Sequence, residues 1–148
     1  MVHALEEIHR LLKPGGFLID IHPVAEDSSI EIHQNGKIDL VGHLHVHQWC
    51  VDFEEADKAL AEIIRRGIYA VEQKGIFDTL TYYDSATEMG TALKQSIYKF
   101  VREGVPVDEE VSQVEMLVAR TEELIQAAGS GAVLVSRERD HISRLRPT

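Results

Sequence analysis

The sequence predicts a mixed α/β fold, and three observations support this prediction. Leu5, Ile8 and Leu12 repeat at helical spacing, and Pro14-Gly15-Gly16 and an apolar run at 17–21 follow them, which indicates a helix, a tight turn and a buried strand. Segments of helical and strand-like periodicity then alternate along the chain. A last strand-like run at 132–135 follows the longest helical pattern.

The segment after the first strand has the pattern of a β-hairpin. Ile30 and Ile32 alternate with polar residues, and Asn35-Gly36 is a strong signal for a two-residue hairpin turn. Strand-like residues continue to Trp49, with a break or bulge expected at Gly42. We therefore predict an inserted β-hairpin over residues 28–49.

Capping signals divide the rest of the chain. Asp52 and Glu55 match a capping box that begins a helix, which Gly67 ends. Residues 68–72 and 76–83 form either a hairpin or one long bulged strand. Ser85 and Glu88 match a second capping box, and a longer helical pattern then runs from 108 to 128. The last strand is expected to continue through residue 141, and the basic tail at 144–148 is expected to fray.

The composition is typical of a single globular domain and argues against several other classes of protein. The 148 residues suit a single domain spanning 1–148, with 44% hydrophobic and 27% charged residues. A net charge of −10 argues against a nucleic-acid-binding surface, which needs clustered positive charge. No apolar run reaches the roughly 20 residues of a membrane span. Cys50 is the single cysteine, so no internal disulfide forms and a reducing cytoplasm is the expected location.

One motif resembles a known family. The helix, Leu12-Lys13-Pro14-Gly15-Gly16 and the strand after it resemble the segment that enters the fifth strand of class I S-adenosylmethionine-dependent methyltransferases. The run 82–86, Tyr-Tyr-Asp-Ser-Ala, is similar to the step after that family's sixth strand. The resemblance implies a partial Rossmann-like sheet of strands five to seven, mixed parallel and antiparallel, in which the seventh strand lies antiparallel between the other two.

The resemblance covers only the C-terminal half of that family's domain. S-adenosylmethionine is implied as cofactor, but the glycine-rich turn that binds it has no counterpart. Gly129-Ser130-Gly131 follows a helix and precedes a strand, the reverse of the required order, and reads as a helix stop. No cofactor-binding residue is therefore assigned, and the chain alone is expected to be incompetent for methyl transfer.

The missing half also leaves the strand at 17–21 without a neighbour. An unpaired apolar edge invites another strand. We expect it to be covered by a homodimer with the strand 17–22 at its interface, by a complementing N-terminal methyltransferase half, or by the inserted hairpin folding back.

Asp20 and His22 lie near the carboxyl end of this strand, where ligands of open α/β sheets bind. In an intact methyltransferase His22 is a candidate catalytic base, and Asp20 is a second candidate catalytic residue. The alternative is a histidine that is simply hydrogen-bonded at a strand end.

A histidine-rich run supplies the other candidate site. In a strand, His43, His45 and His47 would share one face, and imidazole is a good metal ligand. The alternative is a solvated polar face, with Leu44 and Val46 turned to the core. The sequence thus supports a truncated or split methyltransferase, or alternatively a non-catalytic dimeric binding module that holds a metal through the hairpin.

Overall fold

A computed structural model describes all residues, 1–148. The α/β prediction is confirmed, because the chain folds into four helices and five strands that are interspersed along the sequence. Their bounds, in chain order, are α1 Val2–Leu11, β1 Leu18–Pro23, β2 Ser28–Gln34, β3 Lys37–Leu44, α2 His47–Arg65, β4 Tyr69–Tyr83, α3 Ala86–Phe100, α4 Asp108–Ala128 and β5 Val133–Pro147. None of the helices is long and apolar enough to cross a membrane.

The five strands form one open and mostly antiparallel sheet. The strand order is β1-β5-β2-β3, and β4 also pairs with β5. β5 is antiparallel to β1 through residues 140–145 and antiparallel to β2 through residues 133–137. The sheet is therefore not a Rossmann-like parallel sheet, because β5 runs antiparallel to the strands that pair with it.

Two contacts fix the direction of β4. The backbone N–H of Thr148 donates to the carbonyl of Ile68, just before β4 begins, and Arg139 Nε lies 3.6 Å from Asp78 Oδ1 further along. β4 therefore runs antiparallel to β5. A strand has two edges, so β1 and β4 occupy opposite edges of residues 140–145 and run parallel to each other.

The chain contains two compact units, and β4 and β5 contribute to both. The first consists of residues 1–25, 50–78 and 139–148. Its core holds Leu5 from α1, Ile63 from α2, Tyr69 from β4 and Leu145 from β5. As predicted, α1 ends before Pro14, and the left-handed φ of 79° at Gly15 forms the turn into β1.

β1 is covered on one side only. Ile19 and Ile21 are 43% and 56% exposed, whereas Leu18, Asp20 and His22 are half-buried. The apolar run had indicated a strand covered on both faces. That expectation is wrong because α1 and α2 pack in the core on the Leu18 face, whereas the face of Ile19 and Ile21 is left in solvent.

The second unit consists of residues 26–49 and 79–138. Its hairpin turns at Asn35 and Gly36, with φ of 51° and 77°, as the sequence predicted. The β2–β3 register shifts between Ile30 and Glu31, next to the expected bulge. The core consists of residues from β2, β3, α3, α4 and β5 and one residue before α2, namely Ile30, Ile32, Val41, Leu44, Val46, Met89, Leu93, Ile97, Val114, Leu117 and Leu134.

Three local expectations need correction. The hairpin ends at Leu44 and α2 begins at His47, so the predicted continuation of the strand from Leu44 to Trp49 is wrong. Asp52 lies inside α2 and does not cap it. The helical repeat extends back to Trp49, four residues before Phe53. This helical periodicity outweighs the strand-like pattern of the same residues. The tail does not fray, because Leu145 is buried and Glu72 binds the guanidinium groups on either side of it. Residues 69–83 form one strand.

The second capping box is confirmed. The Ser85 side chain accepts from the Glu88 N–H at 3.0 Å, and the Glu88 carboxylate accepts from the Asp84 N–H at 2.7 Å. These bonds satisfy donors at the start of α3, so the strand-to-helix step after β4 is specified locally.

A close contact between α3 and α4 gives a test of the second unit. A Cβ added at buried Gly90 would lie 2.5 Å from Val118 Cγ2. Alanine favours a helix over glycine by about 1 kcal/mol, but the clash with a stiff β-branched side chain costs about 1–3 kcal/mol. We expect Gly90→Ala to lower the free energy of unfolding measured in urea. The same change in a Val118→Ala background should be neutral or stabilising. A stabilising effect in the wild-type background would contradict the packing.

Candidate functional site

A polar cluster lies at the carboxyl end of β1, within the first unit. Asp20 and His22 are two residues apart on one strand face, so the structure brings together the pair that the sequence singled out. His22 Nδ1 lies 2.7 Å from Asp20 Oδ2, and His22 Nε2 lies 3.1 Å from Asp57 Oδ1 on α2. The His22 side chain is 11% exposed, and that of Asp57 is 48% exposed. His22 therefore has a carboxylate at each ring nitrogen.

β5 adds polar groups beside this cluster. His141 is the direct cross-strand partner of His22, and their ring centroids are 5.4 Å apart. The Nδ1 of His141 is buried without a hydrogen-bond partner. Ser143, opposite Asp20, is also buried. The strand thus turns polar groups toward the carboxylate-bound imidazole.

The arrangement is suited to proton transfer. A carboxylate on Nδ1 fixes the orientation of an imidazole and leaves Nε2 to exchange a proton, as in dyads of acid–base catalysis. Here Asp57 occupies the Nε2 position. Because Asp57 is half-exposed on a helix, its side chain has solvent into which it can turn. His22 can receive a proton at Nε2 only when Asp57 has moved away.

Sequence reasoning missed Asp57 and His141. Asp57 is one of several acidic residues on α2, and the local pattern does not distinguish it from Glu54 or Glu55. The alternation at 141, 143 and 145 on β5 was a usable signal, since it places His141 and Ser143 on the face of buried Leu145.

A second polar cluster lies on β2 and β5 in the second unit. Arg137 donates from Nε and Nη2 to the two oxygens of buried Glu31 at 2.9 and 3.0 Å. Ser29 and His33, also on β2, contact the same carboxylate at 2.8 and 2.7 Å. The hydrogen bonds from Arg137 outweigh desolvation and lower the pKa of Glu31 to about 2. Every Glu31 oxygen is occupied, so this cluster is a structural ion pair.

The histidine-rich run does not form a strand face. His43 lies on β3, His45 in the connection after it, and His47 at the first residue of α2, so the expectation that the three imidazoles share one face is wrong. His45 Nδ1 lies 2.6 Å from Asp27 Oδ1, and the His45 and His47 rings are 6.3 Å apart. Binding of a metal by this run stays a prediction.

The Gly129-Ser130-Gly131 loop does not form a cofactor site, and the cleft near β1 does not include His22. Gly129 has a φ of 80° and caps α4, and Gln34 Nε2 donates to the carbonyls of Ala128 and Ser130. The Gly-Ser-Gly loop is therefore a helix stop that the hairpin holds, and the residues present do not fit S-adenosylmethionine. A cleft of about 350 Å³ at Pro14, Gly15 and Gly16 lies at the amino end of β1, away from His22.

The Glu31 ion pair predicts a pH dependence of stability. A shift of the pKa from 4.5 to about 2 corresponds to about 3 kcal/mol of stabilisation when the carboxyl is ionised. Because the folded-state pKa is the lower one, this stabilisation is present above pH 4.5 and is lost as the pH falls toward 2. We expect Glu31→Gln to lower the free energy of unfolding by about 3 kcal/mol at pH 7.

The difference between the wild type and Glu31→Gln should shrink as the pH falls from 4.5 toward 2, measured by urea unfolding at several pH values. Glu115→Gln is the matched control, because its ion pair with Lys94 at 2.8 Å is largely exposed and should contribute little. A difference that does not change with pH would contradict the ionised pair.

Comparison with known proteins gives no assignment. No protein-family model matches this chain. Neither a curated protein nor a solved structure matches it.

Proposed function

We propose that this chain forms the C-terminal half of a class I S-adenosylmethionine-dependent methyltransferase domain and takes part in methyl transfer together with an N-terminal half. The observation that carries the proposal is the arrangement of β1, β5 and β4. β5 lies between the other two and runs antiparallel to both. The resemblance implies this same spatial order for the fifth, seventh and sixth strands, which correspond to β1, β5 and β4.

The helices are consistent with this assignment. α1 precedes β1 and α2 precedes β4, and both contribute to the core around Tyr69 and Leu145. The turn at Lys13-Pro14-Gly15-Gly16, which carries the resemblance, leads directly into β1. The β2–β3 hairpin follows β1 as an insertion before α2.

The free edge of β1 supports pairing with a further strand. The Val24 N–H donates to the Arg139 carbonyl, so even-numbered residues of β1 bond to β5. By the alternation of an antiparallel ladder, the backbone groups of Ile19 and Ile21 point to the other edge. Pro23 is also odd-numbered, so its nitrogen faces this outer edge, but proline has no N–H to donate to an added strand. We infer that the fourth strand of the N-terminal half pairs with residues 19–21.

The His22 cluster has the position that this function requires. It lies at the carboxyl end of β1, the edge at which open α/β sheets bind ligands. We assign His22 as the base that takes the proton lost by an N–H or O–H methyl acceptor, at Nε2. Asp20 is the positioning residue that holds the ring through Nδ1, at 2.7 Å. The N-terminal half supplies the cofactor site.

Titration with S-adenosylhomocysteine tests the proposed function. We expect the isolated chain to give no heat of binding, because it has no glycine-rich strand-to-helix turn. Residues 1–148 joined to the first four strands of a class I methyltransferase should bind one equivalent. Binding by the isolated chain would show that residues 1–148 build a cofactor site themselves, and a folded chimera that binds nothing would contradict the proposal.

Two variants at Ile21 locate the junction in the chimera. Ile21→Pro removes an outward N–H and should abolish cofactor binding by blocking strand addition. Ile21→Thr keeps the N–H and the β-branched shape and should bind like the parent chimera. Equal binding by both variants would place the junction elsewhere.

A further inference from the structure

β4 is a long strand with one unpaired edge. It spans 15 residues, and β5 is its one strand partner. Large apolar side chains project from it into solvent, with Ile76 59% and Phe77 40% exposed. An exposed apolar edge of this length is a ready template for another strand. It is separate from the β1 edge that the proposed function uses.

We propose that a second copy of this chain pairs with β4, antiparallel and about a two-fold axis at Ile76. A two-fold pairing brings residue 76 opposite its own copy and every residue opposite its mirror position. Lys74 and Asp78 are two residues on either side of Ile76. Lys74 of each copy therefore lies opposite Asp78 of the other, twice in the dimer. Opposite charges at facing positions stabilise an antiparallel pair.

The partners of these side chains within one chain are compatible with this pairing. Lys74 forms no ion pair within the chain. Asp78 Oδ1 lies 3.6 Å from Arg139 Nε, and the Asp78 side chain is 35% exposed, so a cation of a second copy can approach its carboxylate from solvent. Lys74 is thus a basic side chain that gains its counter-charge from the second copy.

A glycine and an aromatic residue fit the same register. Phe77 of one copy lies opposite Gly75 of the other. An aromatic ring that covers a cross-strand glycine protects its backbone and stabilises edge strands. Gly75 is half-buried and does not have a positive φ, so its backbone does not require glycine. A close-packed ring from the second copy gives a reason for the missing side chain.

Neighbouring registers are unfavourable. With the axis at Gly75, Glu72 would lie opposite Asp78, and like charges at facing positions repel. With the axis at Phe77, Lys74 would lie opposite Leu80 and Asp78 opposite Ile76, so neither charge would face an opposite charge. Of these three registers, the one centred on Ile76 therefore pairs Lys74 with Asp78. A two-fold contact also uses the edge of β4 in both copies, so the assembly closes as a dimer.

Charge reversal and mixing test the contact. We expect the full chain to sediment as a dimer. Lys74→Glu and Asp78→Lys should each weaken the dimer roughly tenfold or more, because two facing pairs change from attraction to repulsion. An equimolar mixture of the two variants should recover a dimer, since every facing pair in the heterodimer is then of opposite charge. Lys37→Glu on β3 is the matched control and should leave the dimer unchanged.

A cysteine placed on the axis tests the register. Facing Cα atoms of antiparallel strands are about 4.5–5.5 Å apart, within the range of a disulfide. In a Cys50→Ser background, Ile76→Cys should form a covalent dimer on mild oxidation. Gln73→Cys, which would face Thr79, should not.

The outcomes separate this inference from the proposed function. A monomer at high concentration, or a dimer that is insensitive to both charge reversals, would overturn the β4 contact. Ile21→Pro on β1 should leave the dimer intact. Lys74→Glu should leave binding of S-adenosylhomocysteine by the chimera unchanged. Loss of one property without the other therefore identifies which of the two inferences fails.

Discussion

The hydrogen bonds of β5 are the constraint on which the other strands depend. Its residues 140–145 have β1 on one edge and β4 on the other, and its residues 133–137 pair with β2. Buried backbone groups need partners, so displacing β5 would leave three strands with unsatisfied N–H and C=O groups at once. The contact between residues 18 and 145 also has a large sequence separation, so closing this part of the sheet costs more chain entropy than closing the local β2–β3 hairpin.

Polar side chains fix the register of this strand. Arg137 meets the carboxylate of Glu31, and Ser136, next in the chain, lies 3.2 Å from the hydroxyl of Tyr83. A slip by one residue would turn each group to the opposite face and leave a buried charge or hydroxyl unpaired. An apolar strand of the same length would tolerate such a slip more easily. The charged composition of β5, which resembles a frayed tail in the sequence, is what makes its position unique.

Local sequence signals predicted most helices, strands and turns. The side-chain partners of Glu31 and His22 depend on long-range contacts, which the sequence did not predict. The Asn35-Gly36 turn and the Ser85–Glu88 capping box are complete within a few residues, so the sequence specifies them. The pairing of Glu31 with Arg137 joins residues 106 apart. The neighbours of His22 on α2 and β5 also lie far from it in the sequence. Periodicity predicts which face a residue takes, but it cannot identify the residue on another element that meets it.

The two strands that flank β5 leave their outer edges open in different ways. On β1, Pro23 removes the donor that follows Ile21, so an added strand gains regular bonds only along residues 19–21. On β4, charges of opposite sign on either side of Ile76 disfavour most registers and favour one self-pairing. Charges and proline usually protect edges against any partner. Here each device restricts the partner without closing the edge, so strand addition at β1 and the dimer that we propose at β4 are compatible with each other.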